Sequence, residues 1–299
     1  MKTIDAFDKR FSTEESCKEY LIEKRWPNGV ECPRCSGKKV YALKARPFHW
    51  ICKNKDCGGR NGYRFSVITG TIFQDTKIPL KLWFKVGYLM LVGKKGIPAL
   101  QIHRVIFGED SGSSYHTSWY MCMRWRAAMI GDYVGPLAGE VEVDETFVGG
   151  KEKNKHKYQR LNTRGTTGKV AIIGAIARKG MLVAKVIQNT DTETLDSFVR
   201  STVADDVSLV ATDEHSGYRL LDKDYNHQSV RHGAGQYVRG NIHTSNIDSF
   251  WSLLKRGIMG SFHHVSKDYL PLYVNEFSWR HNNRKNPQAF ADLLTTCGK

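Results

Sequence analysis

The sequence predicts an α/β domain in its C-terminal half, preceded by a cysteine-rich metal-binding module and a helical region. Four of the seven cysteines fall between residues 32 and 57, and β-rich runs of strand length begin after residue 139. These runs alternate with helical stretches, which is typical of an α/β core. The predicted domains are an N-terminal helix at 1–29, the metal module at 30–76, a helical region at 77–137 and the α/β domain at 138–299.

Composition narrows the class of protein. The chain has 299 residues, 40% of them hydrophobic, which is enough to build cores and excludes disorder throughout. Its 45 Lys+Arg against 30 Asp+Glu give a formal charge of +15. That excess favours an acidic polymer such as nucleic acid as partner, the alternative being a basic protein without one. No apolar run approaches the ~20 residues that cross a bilayer, so we expect a soluble, cytoplasmic protein without membrane contact, associated with the nucleoid.

The first helix is predicted from its start signal and its apolar face. Ser12 is a candidate N-cap, and Glu15 three residues later completes a capping box. Phe7, Phe11 and Tyr20 would supply part of the buried face.

Two closely spaced cysteine pairs predict a structural zinc site. Cys32 and Cys35 form one pair and Cys52 and Cys57 the other, with an aromatic strand between them. Two such pairs can place four thiolates at the corners of a tetrahedron, as in a zinc ribbon. The alternatives are four buried free thiols or a redox pair, although a redox pair leaves the second pair unexplained. The odd number of cysteines also argues against a disulfide framework.

A helix-turn-helix is predicted within the helical region. One short helix ends near Gly108, and a second follows from residue 113, with an acidic turn between them. The alternative is a helical linker whose aromatic residues are core. In the first reading, the second helix contacts DNA through four side chains: Tyr115, His116, Arg124 and Arg126.

Acidic side chains at two strands and one helix predict a metal-dependent active site. Alternation along the strand 140–148 puts Glu142 and Asp144 on one face and Glu145 on the other. Asp213 ends a second strand, and Asp248 lies on a helix with Lys255 two turns later on the same face.

Two strand acids and one helix acid can hold two Mg²⁺ or Mn²⁺ ions ~4 Å apart, with Lys255 beside a phosphate. Taken singly, each acid could be merely solvated. Asn246 is an alternative ligand, and Glu142 is either an accessory carboxylate or neutralised by a nearby arginine.

A basic segment follows the first acidic strand. Residues 151–169 contain seven basic residues and one acid, which suits non-specific phosphate binding, the alternative being a solvated hairpin. The predicted DNA contacts here are Lys151, Lys153, Lys155, Lys157, Arg160 and Arg164, and Arg256 is added from the helix of Asp248.

The chain resembles the transposases of bacterial insertion sequences that join an N-terminal zinc ribbon to a DDE catalytic domain, relatives of the Merlin transposases. The resemblance rests on the four cysteines, on residues 141–151, on Thr212-Asp213 with Tyr218, and on segments 243–257 and 275–284. It covers nearly the whole chain.

This resemblance implies an RNase H-like catalytic fold and DNA cut-and-join chemistry. Asp144 and Asp213 would be the first two catalytic acids, and Asp248 stands where the family usually has Glu. The expected function is binding of the transposon's terminal inverted repeats, two-metal strand cleavage and transfer of the 3′-OH into double-stranded target DNA, by a homodimer or larger assembly. The alternatives are a catalytically weak or inactive DNA-binding regulator of transposase descent, and a nuclease that cleaves without joining.

Overall fold

The chain folds into two compact units. The computed structural model describes residues 3–108, 112–130, 135–150, 156–159, 166, 168–230 and 238–298. Unit 1 combines residues 1–130 with 283–299, and unit 2 comprises 131–282. The last residues of the chain, assigned from the sequence to the α/β domain, therefore group with the N-terminal half.

Unit 1 begins with two helices rather than one. Helix α1 spans Ile4–Arg10 and helix α2 spans Glu14–Arg25. The predicted cap at Ser12 is wrong: Thr13 is the N-cap of α2, and its hydroxyl accepts a hydrogen bond from the Ser16 amide at 3.1 Å. The Ser16 hydroxyl oxygen in turn accepts from the Thr13 amide at 3.3 Å, so a capping box exists one residue later than expected.

A small antiparallel sheet follows. Its strands are β1, β2 and β3, spanning Val40–Ala42, His49–Cys52 and Tyr63–Ser66, with the short helix α3 at Lys55–Gly58. Phe65 is buried beside three cysteines, and Trp26 and Trp50 pack against the same cluster. Because this core is so small, the module needs another source of stability.

The helical part of unit 1 is assembled around aromatic side chains. Helices α4, α5, α6 and α10 span Leu80–Val92, Ala99–Ile106, Tyr115–Ala128 and Ala289–Thr296. The Trp125 indole donates to the Trp83 carbonyl at 3.0 Å, and a Cβ on Gly87 would lie 2.7 Å from the Trp125 ring. Phe290 of α10 lies 5.5 Å, between ring centroids, from both Phe7 and Phe84.

Unit 2 contains a mixed five-stranded sheet. Its strands β4 to β8 span Glu140–Val148, Val170–Ala177, Leu182–Ile187, Leu209–Thr212 and His227–Ser229. Their order in the sheet is β6-β5-β4-β7-β8. Strands β4, β5 and β6 are antiparallel neighbours, whereas β7 and β8 add in parallel. The β-rich runs expected after residue 139 are present as strands, and β8 is an addition to the prediction.

Helices cover both faces of this sheet, so unit 2 is an α/β domain. Helix α7 at Thr192–Thr202 packs on the face that carries Val141 and Val143. Helices α8 at Ser245–Gly257 and α9 at Leu270–Asn282 cover the opposite face. Helix α8 ends at Gly257 and continues into a single π-helical turn. In the part of the chain that the structure describes, no helix is long and apolar enough to traverse a bilayer.

Candidate active site and metal centre

The four cysteines of the small sheet converge on one point. Their sulfur atoms all lie within 4.8 Å of one another, with Sγ–Sγ distances of 3.5 Å for Cys32–Cys57 and 3.7 Å for Cys35–Cys52. A zinc ion bound at ~2.3 Å by four thiolates requires sulfur separations of about 3.8 Å. The donor set therefore fits Zn²⁺, and the metal would supply the stability that the small core lacks.

Local hydrogen bonds favour the thiolate form of one of these cysteines, Cys35. A backbone hydrogen bond from Gly37 is the main cause that lowers the pKa of Cys35 to about 7. The Asn54 amide also approaches the Cys35 sulfur at 3.7 Å, while burial raises the pKa of Cys57 to about 12. His49, whose Nδ1 lies 2.8 Å from the Pro47 carbonyl oxygen, is outside the cluster, in agreement with an all-cysteine ligand set.

The strand acids meet where the short strand β7 ends beside the middle of the longer strand β4. Strand β7 pairs with β4 from Glu140 to Glu142 and ends just before Asp213, which brings that residue beside Asp144. Carboxylate oxygens of Asp144, Asp213 and Glu145 lie within 4.8 Å of one another. Burial, followed by the charges of Asp213, Glu145 and Asp248, raises the pKa of Asp144 to about 8. This cluster concentrates negative charge at the point where β7 ends beside β4.

Glu145 belongs to this cluster although the alternation argument placed it on the opposite face. It does leave that face of β4, where the buried Tyr218 hydroxyl donates to Glu145 Oε2, yet its carboxylate still reaches Asp213. His215 Nδ1 lies 3.6 Å from its other oxygen. Desolvation by burial is the main cause that raises the pKa of Glu145.

Helix α8 forms the opposite wall of an open cleft of about 520 Å³. Asp248, Ser252, Lys255 and Arg256 line it together with Asp144. Within the described residues, the close carboxylate cluster does not include Asp248, whose Oδ2 instead accepts from the Thr244 hydroxyl at 3.0 Å. The structure thus brings Asp144, Asp248 and Lys255 to one cleft, whereas Asp213 joins the site through its carboxylate contact with Asp144.

Two residues at this site, Trp251 and Arg178, were not identified from the sequence, and a third, Asn246, has a different partner from the one considered. The Trp251 indole donates to Asp144 Oδ2 at 2.9 Å. Arg178 is the arginine that neutralises Glu142, with Nε at 2.9 Å. Asn246 was considered as an alternative metal ligand. Its side-chain amide donates to Glu142 Oε1 at 2.7 Å, so this side chain already has a different partner. The aromatic residue one turn after Asp248 was a usable signal for Trp251, whereas nothing local in the sequence pairs residues 142 and 178.

The four residues of α6 that were predicted to contact DNA differ in their exposure to solvent. Tyr115 and His116 are exposed at the start of the helix. Arg124 is partly exposed and its Nε donates to the Tyr120 hydroxyl at 2.8 Å. Arg126, however, is only 1% exposed and belongs to the packed interior. The prediction that Arg126 contacts DNA is corrected, because its helix turns that position inward.

The basic segment after β4 is described only in part. Lys157 lies in an exposed 3₁₀ turn, and Arg256 on α8 is exposed with its Nε donating to the Ser252 carbonyl at 3.1 Å. The other predicted contacts there lie outside the described residues: Lys151, Lys153, Lys155, Arg160 and Arg164.

Comparisons with known proteins agree with this arrangement. Residues 136–282 match the family model of the ISXO2-like transposase domain, and residues 12–60 match that of the transposase zinc-ribbon domain. The chain is also 29% identical, over 96% of its length and 98% of the relative, to a protein of Halobacterium salinarum described as an uncharacterized protein in transposable element ISH50.

A mixed α/β sheet with clustered carboxylates, carried on a chain with a four-cysteine metal module, agrees with the class of transposases that these two family models describe. The chain belongs to the insertion-sequence transposases that combine a zinc-ribbon domain with an ISXO2-like transposase domain. The resemblance stated from the sequence is confirmed at this level.

Proposed function

We propose that the chain is a DNA transposase that binds the inverted ends of its element, cleaves a strand and joins the freed 3′-OH to target DNA. The observation that carries the proposal is the convergence of the Asp144 and Asp213 carboxylates, with Asp144 also lining a cleft together with Asp248 and Lys255. The sheet order supports an RNase H-like fold, with three antiparallel strands extended by two parallel ones. Site and fold together favour phosphoryl transfer on nucleic acid.

Asp144, Asp213 and Asp248 would hold two Mg²⁺ or Mn²⁺ ions, because carboxylate oxygens are the ligands these cations prefer. When bound, such ions activate an attacking water or 3′-hydroxyl and stabilise the leaving oxygen of a phosphodiester. The crowding of like charge around Asp144 fits a site that needs a cation.

The protein's own groups orient the acids and the DNA. Trp251 holds one oxygen of Asp144 at 2.9 Å, and the His215 amide donates to Asp213 Oδ1 at 2.9 Å. Lys255 on the cleft wall would contact a phosphate beside the scissile bond. Tyr218 is buried and bonded to Glu145, which argues against a covalent tyrosyl intermediate and in favour of direct attack by water.

DNA recognition would be divided between the zinc ribbon and the helices α5 and α6. These helices are packed together as a helix-turn-helix requires, and His103 Nδ1 lies 3.3 Å from the Ser118 hydroxyl across their interface. Exposed Tyr115 and His116 begin the second helix, where base contacts are expected. Because two ends must be joined, we propose a homodimer or larger assembly bound to double-stranded DNA of the nucleoid.

The test uses purified protein, labelled DNA from the flanks of its coding sequence, a plasmid target and Mg²⁺ or Mn²⁺. Asp144→Asn keeps the acceptor for Trp251 and removes the charge, so it should abolish joined products. Asp191→Asn is the matched control, because Asp191 is an exposed helix cap and Asn also caps well. Products that persist in Asp144→Asn would refute the proposed site.

A catalytically weak or inactive regulator is the second candidate, favoured by the position of Asp248 outside the close carboxylate cluster. Its side chain is one methylene shorter than Glu. Binding of end DNA without cleavage in either metal would support the regulator, and restoration of cleavage by Asp248→Glu would trace the loss to that methylene. Cleavage without joining would instead indicate a nuclease.

A further inference from the structure

We infer that Glu142, paired with Arg178, is a positioning residue that fixes helix α8 and thereby the two side chains it brings to the cleft, Asp248 and Lys255. The inference rests on the proposed function. Glu142 is 0% exposed on β4, and it does not reach the cleft itself. Its carboxylate is instead turned to the start of α8, where it makes contacts that no local sequence pattern provides.

The first turn of α8 is capped by this distant carboxylate. The amides of Asn246 and Ile247 donate to Glu142 Oε2 at 2.8 and 3.2 Å, and the Asn246 side chain donates to Oε1 at 2.7 Å. Thr244, at the N-cap, makes no side-chain cap bond, and its hydroxyl donates to Asp248. Glu142 therefore satisfies two amides of the first turn and places a negative charge at the positive end of the helix.

A second contact fastens the same helix to the same strand. Asp144, on the same face of β4, accepts from Trp251 one turn further along α8. Two residues of a strand span about 7 Å, and four to five residues of a helix span about 6–7.5 Å. The two contacts are therefore in register, and Asp248 lies between them. A shift of the first contact would displace Asp248 relative to Asp144.

Arg178 connects the carboxylate of Glu142 to the segment that leads into α8. Its Nε donates to Glu142 at 2.9 Å, its Nη1 pairs with Glu140, and its Nη2 donates to the His243 carbonyl at 3.3 Å. The side chain of Asn241 accepts from the same guanidinium at 3.0 Å. The planar guanidinium group of Arg178 thus joins β4 to the segment that leads into α8. Lysine, with a single ammonium group, cannot make the same set of contacts.

The experiment uses the full chain with zinc bound and four measurements on Glu142→Gln. Hydrogen–deuterium exchange should show at least about tenfold less protection of the first-turn amides of α8. Calorimetric titration with Mn²⁺ should show a dissociation constant raised about 10–100-fold, as when other residues that orient metal ligands are removed. The Mn²⁺ concentration for half-maximal cleavage should rise in parallel, while affinity for end DNA stays within about twofold.

Val143→Ala is the matched control, because Val143 is equally buried on β4 but faces α7. It should lower the melting temperature and leave the Mn²⁺ dissociation constant unchanged. Arg178→Lys provides a second variant if Glu142→Gln does not fold, with a smaller rise of about 3–10-fold.

Unchanged protection of α8, or a Mn²⁺ shift no larger than in Val143→Ala, would overturn the positioning role. Absence of cleavage by the wild-type protein would refute the proposed function alone, because the exchange and calorimetric measurements still decide the role of Glu142.

Discussion

Gly174 on β5 is the position where one added methyl group should test how closely helix α8 packs on the sheet. It pairs with Asp144 in the sheet, and a Cβ built there would lie 2.8 Å from the Trp251 ring and 3.1 Å from Ile247 Cδ1. Carbon atoms in contact prefer about 3.5–4.0 Å. Overpacking of this kind costs about 1–3 kcal/mol, offset by about 0.5–1 kcal/mol because Ala is better ordered than Gly in a strand. We expect Gly174→Ala to destabilise unit 2 by about 1–2 kcal/mol.

The assay is hydrogen–deuterium exchange of β5 peptides in the intact chain, where about 1.4 kcal/mol corresponds to tenfold faster exchange through opening. Trp251→Phe is the partner variant, because phenylalanine lacks the two ring carbons that the new methyl group would meet. In that background, Gly174→Ala should be neutral or stabilising. If its effect is the same in both backgrounds to within about 0.5 kcal/mol, the two sites are independent and the steric reasoning is refuted.

Three further predictions concern unit 1. Metal analysis should find one zinc per chain, lost in Cys57→Ser but retained in Cys17→Ala, since Cys17 is outside the cluster and burial raises its pKa to about 12. Thr13→Ala should cost about 1 kcal/mol in thermal denaturation through the lost cap, and an equal cost for Ser12→Ala would contradict the observed helix start. Arg126→Ala should lower the melting temperature through lost packing and leave end-DNA affinity of the folded protein unchanged; weaker binding at unchanged stability would reinstate it as a DNA contact.

The sequence predicted those parts of the site whose signals are local. Alternation in β4 identified Asp144, and the strand end identified Asp213, because a period of two leaves little freedom in where side chains point. Helical spacing placed Asp248 and Lys255 on one face of α8, and both line the cleft. The cysteine spacing predicted a cluster that the structure contains.

Contacts between distant segments could not be read from those patterns. Glu142 and Arg178 meet only because β4 and β5 are neighbours in register, and either residue alone is an ordinary charged side chain. Alternation placed Glu145 on the correct face of β4, but it does not tell how far a long side chain reaches, so the place of Glu145 in the carboxylate cluster was missed. Arg126 was misjudged because its charge suggested solvent while the packing of α6 decided its burial.

The return of the chain to unit 1 constrains the order in which the protein can be completed. Helix α10 follows unit 2 in the chain, yet its Phe290 packs among Phe7, Phe11 and Phe84. During synthesis on the ribosome, the aromatic cluster of the N-terminal 130 residues therefore stays incomplete until the whole of unit 2 has been synthesised. A messenger RNA truncated anywhere before α10 would yield a protein whose N-terminal half lacks part of its own interior, so premature termination cannot release a fully packed N-terminal fragment.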